Sequence, residues 1–278
     1  ASRGLGDVYK RQIQNSIQLE IIMDIFAVIG LFFGMTMILI GQAMEGGNLG
    51  QLLQITAAFI VLGGTTGAVI LSFPHKTLIS AIKMLKNVFM PPKSDFNALI
   101  TEIGGFATKA RKEGIISLEK EAYNASDSLL TLGLGAVADG TDPALVREMM
   151  ENQIEQLENY VNNAAKVFES FGGYSPTLGI IGAVMGLIQV MQNLSDPSKL
   201  GAGIAVAFVA TIYGLFAANL VMIPISTRIK FIYQGVFLYK NMILEGVLSI
   251  QAGESPVLIE RKLRSFILED NKEEKANG

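Results

Sequence analysis

The sequence has no cysteine and a single histidine, His75. Without cysteine, the chain cannot form a disulfide framework, use a thiolate nucleophile or build a cysteine-based zinc site. One imidazole leaves too few groups for an imidazole-rich metal centre or for serine–histidine catalysis. We therefore predict that the protein is not an enzyme and uses no metal or other cofactor. His75 itself stands beside Lys76 and is interpreted as a solvated residue at the membrane interface rather than a proton relay.

Charge is scarce as well. Only 17% of the residues are charged, against about 25% in average soluble domains. The formal net charge is −3 and no basic stripe is present, so nothing in the sequence indicates a nucleic-acid partner. The apolar residues, which make up 50% of the chain, are gathered into long runs. This pattern indicates a membrane protein.

Four apolar runs are long enough to cross a bilayer. About 20 helical residues at ~1.5 Å each span a hydrocarbon layer of roughly 30 Å. Two runs cover residues 25–42 and 52–73, and two more lie within residues 173–225, separated by the polar stretch QNLSDPSKL. We predict an all-α, polytopic membrane protein with four transmembrane helices, paired as residues 23–73 and 173–225, and a helical cytoplasmic domain.

Residues 1–22 differ from the rest of the chain. They lack the n-region, h-region and cleavage site of a signal peptide. Met23 begins the sequence MDIFAVIG, which is typical of a membrane-protein start, and Asp24 stands just before the first span. We expect native translation to begin at Met23, and residues 1–22 to be a non-native or disordered extension.

The polar parts of the chain are residues 74–172 and 226–278. They contain the lysines and arginines that stand close to the spans: Lys76, Lys83, Lys86, Lys93, Arg228, Lys230 and Lys240. The loop between the first two spans has none, and the loop between the last two has only Lys199. The positive-inside rule therefore predicts that both parts and both termini are cytoplasmic. The first part is expected to be a helical domain, and the second to be C-terminal helices and a tail.

The cytoplasmic parts show helical periodicity. A helix over residues 95–112 is expected, with Ser94 as its N-cap. Asp142 and Pro143 form a strong helix start, from which a long helix runs into the third span. Residues 129–140 are apolar but too short to span, and they are expected to pack within the cytoplasmic domain. A last amphipathic helix follows the break at GESP.

Small residues form a stripe on each of the last two spans: Pro176, Gly179, Ala183, Gly186 and Val190 on the third, and Ala207, Thr211, Gly214 and Ala218 on the fourth. Small residues let helix backbones approach closely. We expect these stripes to leave room for another helix.

Intramembrane carboxylates are missing from the last two spans. None of the polar residues near mid-membrane ionises near neutral pH: Gln189, Thr211, Tyr213, Asn219 and, nearer the inner end, Thr177. A carrier of protons or sodium normally needs an intramembrane carboxylate. Either the chain moves no ions, or a partner helix supplies the acid.

Two prolines, Pro176 and Pro224, stand at the cytoplasmic ends of these spans. Each removes a backbone hydrogen bond and bends or weakens its helix. A proline at a helix end is ordinary, but two at the same depth on adjacent helices favour a functional hinge.

A long, ordered signature runs through these spans: YSPTLGIIGAVMGLIQVMQNL, then the DPS and LG residues of the loop, then GAGIAVAFVATIYGLFAANLVMIPI. It closely resembles the MotA/PomA family of flagellar motor stator subunits, which is related to the ExbB/TolQ energisers. The resemblance covers residues 23 to about 269. The family's layout has four spans and a large cytoplasmic region between the second and third, as expected above from the residues.

The resemblance implies a function. Members of the family form a ring, understood to be a pentamer, around paired transmembrane helices of a MotB-like single-span subunit that carries the ion-accepting Asp. Ion flow rotates the ring, and its cytoplasmic charges push on the rotor protein FliG. The chain would then reside in the bacterial inner membrane, and the missing carboxylate would belong to its partner.

The resemblance also implies roles for particular residues. The family's rotor-contact motif is an Arg followed eight residues later by a Glu, which Arg111 and Glu119 match, with Lys112 adjacent. Without the resemblance these charges would be a solvated face. The family's two prolines correspond to Pro176 and Pro224.

The ion path is expected along the last two spans. Thr211 corresponds to the family's fourth-span Thr near the ion site, and the lining is expected to include it with Thr177, Ala183, Ala207 and Gly214. Sodium-driven relatives typically have Thr at the position of Ala183, where a hydroxyl can help coordinate a hard cation. Ala183 has no side-chain oxygen, so we expect the ion to be a proton.

Three alternatives compete with a stator subunit. ExbB/TolQ-type energisers have three spans, so the run at residues 25–42 and the DPS-LG motif argue against them. A self-contained transporter predicts a binding site within this chain and intramembrane charge, which is missing. A membrane enzyme would need a nucleophile–base or metal-ligand set that the sequence lacks.

Overall fold

The computed structural model describes residues 26–195 and 197–267, and these residues form helices joined by short turns, without a β-strand. They divide into two compact units. The membrane unit holds the described residues up to Pro91 together with Val161–Phe231, and the helical unit holds Pro92–Tyr160 together with the described residues from Ile232 onward. The predicted all-α architecture is confirmed.

The first two spans are helices α1 (Phe26–Met44) and α2 (Ile55–Ser72). Both are long and apolar enough to cross a membrane, as predicted, while residues 1–25, including Asp24, lie outside the described part. A 3₁₀ turn at Leu49–Leu52, capped by the side chain of Asn48, precedes α2.

Helix α2 ends because Phe73 and Pro74 both adopt extended backbone, with ψ angles of 142° and 147°. Proline lacks the N–H that would continue the helical hydrogen bonding, so α2 stops before it and a separate helix begins after it. That helix, α3 (His75–Phe89), belongs to the membrane unit.

The third span is the end of one 50-residue helix, α7 (Pro143–Gln192). Asp142 caps it by accepting a hydrogen bond from the Ala144 amide at 2.9 Å, and Pro143 occupies the first helical position. The prediction that a long helix starts here and runs into the third span is confirmed. At ~1.5 Å per residue it is about 75 Å long.

The fourth span starts within helix α8 (Pro197–Phe216). A π-helical segment, Ala217–Met222, joins α8 to α9 (Ile223–Gln251). The helical backbone is continuous across these segments. Together with α1, α2 and α7, this makes four helices that are apolar and long enough to span, in agreement with the predicted number.

The helical unit also contains α4 (Phe96–Glu113), α5 (Leu118–Ala122), α6 (Ser128–Ala138) and α10 (Pro256–Arg264). Its core gathers apolar side chains from several helices, among them Ile103, Leu130, Leu134, Met150, Met242, Val247 and Ile259. Leu130 and Leu134 of α6 are fully buried in it. The apolar segment at residues 129–140 therefore packs internally, as predicted from its length.

The cap of α4 differs from the prediction. Asp95, not Ser94, accepts the hydrogen bond from the Ala98 amide, at 2.9 Å. Both residue types cap helices well, so the sequence alone placed the start one residue too early. The break before α10 lies where expected, since Gly253 has a φ of 72° and Ser255 caps a helix that starts at Pro256.

A largely buried ion pair fixes the start of α6. Lys240 Nζ lies 2.7 Å from both carboxylate oxygens of Asp127, and each side chain keeps only 17% of its exposure. Asp127 also accepts a hydrogen bond from the Leu129 amide at 2.8 Å, so it caps α6 while it binds Lys240. One carboxylate thus joins the first turn of α6 to α9.

We expect Lys240→Met to lower the free energy of unfolding by about 2 kcal/mol, because Asp127 is left partly buried without its cation. Thermal unfolding of the purified chain in detergent measures this. Arg147→Met is the control, since the exposed Arg147–Glu151 pair should contribute less than about 0.5 kcal/mol. Equal losses from the two substitutions would contradict the assigned role of Lys240.

Candidate functional site

The third and fourth spans pack backbone to backbone. A methyl group added at Gly214 would lie 2.5 Å from the carbonyl oxygen of Ser175, and one at Gly186 would lie 2.7 Å from that of Gly203. At Gly179 the nearest atom would be the Ala210 carbonyl oxygen at 3.0 Å. Only glycine permits such separations, so these positions fix how closely α7 and α8 approach.

A hydrogen bond supports the same contact beside Pro176. The buried Ser175 hydroxyl donates to the Gly214 carbonyl at 3.1 Å. The Cα of Pro176 would lie 3.1 Å from a methyl group on Gly214. Pro176 therefore lies where α7 and α8 approach each other closely, so a change in the backbone of α7 there would alter its contact with α8.

The small-residue stripes have a different neighbour from the one expected. We predicted that they leave room for another helix, but Gly179, Gly186 and Gly214 pack against the other span of the same chain. Ala207 is buried in the same contact, beside Gly186. The reason is that two complementary small faces on consecutive spans satisfy each other within one chain.

The remaining predicted lining residues keep accessible surface. Thr211 and Ala183 are half-buried and Thr177 is exposed. The structure thus separates the predicted set into covered members, Ala207 and Gly214, and members that a further helix can still reach. Their role in an ion path stays a prediction.

Helix α2 contributes to this assembly, which the sequence analysis did not foresee. Ala57 and Val61 of α2 are fully buried against Val209 and Ala210 of α8. The Tyr213 hydroxyl donates to the Leu52 carbonyl at 2.6 Å and accepts from the Gln54 amide at 3.2 Å.

Tyr213 thus supplies the cap that Gln54 does not provide for α2. The sequence has no Ser, Thr, Asp or Asn at the N-cap position of this helix, which could have indicated that a residue from elsewhere caps it.

The polar side chains of the spans bond mainly to their own helices. Thr211 Oγ1 donates to the Ala207 carbonyl at 3.3 Å, and Asn219 Nδ2 donates to the Leu215 carbonyl at 3.0 Å. Residues 173–195 and 200–227 contain no Asp, Glu, Lys or Arg. Within the described residues no group of metal-ligating side chains exists. The described part of these spans offers hydroxyls and amides to an ion path, but no group that binds a proton near neutral pH.

Helical backbone continues through both prolines. Pro176 lies inside α7, and Pro224 follows the π-helical segment Ala217–Met222. A π-helical turn lets the helix absorb one extra residue, and such turns are common where a helix has functional irregularity. The hinge predicted for these prolines stays a prediction.

The charges of the Arg-to-Glu motif lie at a corner of the helical unit. Arg111 and Lys112 are in the last turn of α4 and Glu119 is in the first turn of α5, and all three are exposed. Gly114, with a φ of 86°, makes the sharp turn between the two helices. The motif thus presents two cations and one anion to solvent on adjacent helix ends, with the exposed Glu113 and Lys120 beside them.

An ion pair that the sequence analysis missed braces this corner. Lys109 Nζ lies 2.5 Å from a Glu121 carboxylate oxygen and 4.0 Å from Glu113. The hydrogen bond to Glu121 raises the pKa of Lys109 above its ordinary value of 10.5. A raised pKa in the folded state means that the pair stabilises the corner at neutral pH and is lost only when the pH rises through that higher value.

Comparison with known proteins identifies relatives over nearly the whole chain. Residues 28–114 match the family model described as Motility protein A N-terminal, and residues 121–242 match the MotA/TolQ/ExbB proton channel family. Motility protein A of Helicobacter pylori is 34% identical, over 88% of this chain and 95% of that protein. Chemotaxis protein PomA of Vibrio alginolyticus is 30% identical, over 89% and 96% respectively.

Two solved structures have the same fold. The C. jejuni MotAB structure superposes with a TM-score of 0.82 at 30% identity, covering 88% of this chain and 96% of that one. The flagellar MotAB stator complex of Bacillus subtilis gives a TM-score of 0.78 at 30% identity, covering 86% and 95%.

Fold and spans together define a helical membrane protein of the kind found in MotAB stator structures. The chain belongs to the MotA/TolQ/ExbB proton channel family and is, within it, a stator subunit of the flagellar motor. The match of residues 28–114 to the Motility protein A model favours this branch over the ExbB/TolQ alternative. The resemblance stated from the sequence is confirmed.

We expect Gly214→Ala to lower the stability of the chain by about 1–3 kcal/mol, because the new methyl group meets the Ser175 backbone, which cannot move aside like a side chain. Gly67→Ala is the matched control, since nothing lies within 4 Å of a methyl group there. Thermal unfolding in detergent measures both. An unchanged Gly214→Ala variant would show that the two spans are free to separate.

Proposed function

We propose that this chain forms, with a MotB-like single-span subunit, an ion-conducting complex that converts proton flow into torque on the flagellar rotor. One observation supports this most strongly: residues 173–195 and 200–227 contain no acidic or basic residue, although the family conducts protons. A proton path needs an ionisable group. In this proposal the partner's transmembrane Asp supplies it, as suits relatives whose solved structures are MotAB complexes.

In this proposal the surface around Thr211 is this chain's side of the ion path, because Thr211 is a polar residue of the spans that keeps accessible surface. Thr211 and Ala183 keep part of their surface, whereas Gly214 and Ala207 serve to hold the two spans together. The Thr211 hydroxyl bonds weakly to its own helix, at 3.3 Å, so it can turn toward an incoming ion or partner carboxylate. Ala183 adds no oxygen, which favours a proton over sodium.

The outer faces of the spans are suited to lipid and to further copies of the chain. On α7 the side opposite the glycine contact carries exposed apolar residues: Ile180, Val184, Met185, Leu187, Ile188 and Met191. Such a surface must be covered in a membrane by lipid or by other helices. We propose a pentameric ring of these subunits around the partner's helices, in the bacterial inner membrane with both termini cytoplasmic.

Torque in this proposal passes from the spans to the exposed corner. Movement at Pro176 and Pro224 alters α7 and α9, and both are uninterrupted helices that supply residues to each compact unit. The corner formed by α4 and α5 presents Arg111, Lys112 and Glu119 to the rotor protein FliG. The Lys109–Glu121 pair keeps the two helix ends at fixed spacing.

The first test concerns the partner's carboxylate. We expect the chain expressed alone in cells without other stators to give no proton leak, and co-expression with its MotB-like partner to give one. Inverted vesicles with a pH-sensitive dye measure the leak, in buffers with and without sodium. A leak from the lone chain would place the ionisable group here, and a leak that requires sodium would refute the proton assignment.

The second test concerns the corner. We expect Arg111→Glu to reduce swimming at least about tenfold, because the reversed charge repels what the guanidinium attracted. Arg147→Glu, at an exposed position outside the motif, should leave swimming unchanged. Membrane levels measured by immunoblot separate the two explanations. If the Arg111 variant is lost from the membrane, the residue is structural rather than a rotor contact.

A further inference from the structure

Helix α3 (His75–Phe89) has a composition that the stator function does not use. From residue 46 to residue 94 the chain has no acidic residue, while Lys76, Lys83, Lys86 and Lys93 fall within α3 or just after it. The first three are exposed. Helix α3 itself therefore carries three exposed lysines and no acidic residue.

The same exposed side of α3 carries large apolar residues. Ile79 is 50% exposed, Ile82 71%, and Phe89 and the following Met90 are 42% and 66%. They alternate with Lys83 and Lys86 on one side of the helix, whereas Ser80, Ala81, Met84 and Val88 are buried on the other. Two surfaces thus exist, one packed in the membrane unit and one without protein cover in the described chain.

The connection to α2 gives this surface a location. Only Phe73 and Pro74 separate α3 from the end of a membrane span, and both have extended backbone, so α3 is not a straight continuation of that span. Near the end of α3, the Val88 carbonyl accepts a hydrogen bond from Arg228 Nε of α9 at 2.9 Å. The start of α3 is therefore held by its connection to α2, and its end by this bond to α9.

We propose that α3 lies in the headgroup region of the cytoplasmic leaflet and binds anionic phospholipid there. Its lysines would contact phosphate groups while Ile79, Ile82 and Phe89 enter the acyl boundary. Lysine suits this position because its long stem lies along apolar surface and its charge reaches the polar layer. A contact between copies of the chain is less suited, since the cores of such interfaces are depleted of lysine.

This inference rests on α3 and its attachment to the membrane unit, and it goes beyond the stator function. If α3 held no lipid, conduction with the partner would still be expected, and a chain without stator activity could still bind lipid through α3. The lipid measurement therefore tests the binding of lipid by α3, and the swimming assay tests the stator function, each independently of the other.

The absence of native cysteine allows a clean test. The full chain carrying Ile82→Cys is labelled with an environment-sensitive fluorophore and reconstituted into nanodiscs of phosphatidylethanolamine and phosphatidylglycerol that contain spin-labelled lipid. We expect strong quenching of the label. Tyr123→Cys, 82% exposed on the helical unit, is the control and should show little quenching.

Charge reversal tests the headgroup part of the proposal. In the labelled protein, Lys83→Glu with Lys86→Glu should reduce the quenching by roughly half, because each lysine near an anionic surface adds to the attraction. Lys120→Glu, on the helical unit, should not change it. Nanodiscs of phosphatidylcholine alone should give the same reduction in the labelled Ile82→Cys protein without charge reversal.

Three results would overturn the proposal. An unquenched label at position 82 would place α3 away from lipid. Equal quenching in anionic and zwitterionic nanodiscs would remove the specificity for anionic lipid. Efficient disulfide cross-linking between copies of the Ile82→Cys variant, with no quenching, would assign the surface to a subunit interface instead.

Discussion

The contact between α7 and α8 is the constraint on which the rest of the membrane unit depends. At Gly214 the backbones approach so closely that no side chain fits between them, and the Ser175 hydroxyl adds a hydrogen bond across the same point. In lipid no hydrophobic driving force holds helices together, so close packing and such bonds must do so. Helix α2 then packs on the pair through Val61 and receives its cap from Tyr213.

This packing gives the residues of the spans two different roles. Residues at the contact between α7 and α8 are small and buried, and they set the distance between the two helices. Thr211 keeps accessible surface and a weak bond to its own helix, so it remains able to meet another molecule. Residues 173–195 and 200–227 contain no carboxylate, so in the proposed function these spans form one side of a path that a partner completes.

Most of the architecture could be predicted from the sequence because length and hydropathy decide it. The spans, the long helix from Pro143 and the internal packing of α6 all follow from run length, capping residues and periodicity. The family resemblance depended on a long ordered signature rather than on any single motif.

What could not be predicted depends on partners far apart in the chain. The sequence shows that small residues form a stripe, but only the fold shows which helix fills it. Tyr213 capping α2 and Lys109 pairing with Glu121 join residues whose spacing carries no periodic signal. The cap of α4 was misplaced by one residue because Ser94 and Asp95 are both good caps, and only the hydrogen bond distinguishes them.

The uninterrupted helix α7 has a mechanical consequence. From Pro176 to its start at Pro143 it extends about 50 Å at ~1.5 Å per residue. A tilt of about 5° at Pro176 would displace the far end by about 4 Å, which is more than the length of a hydrogen bond, about 3 Å. Along a helix of this length, a small change of angle at one end becomes a displacement large enough to make or break an ion pair at the other end.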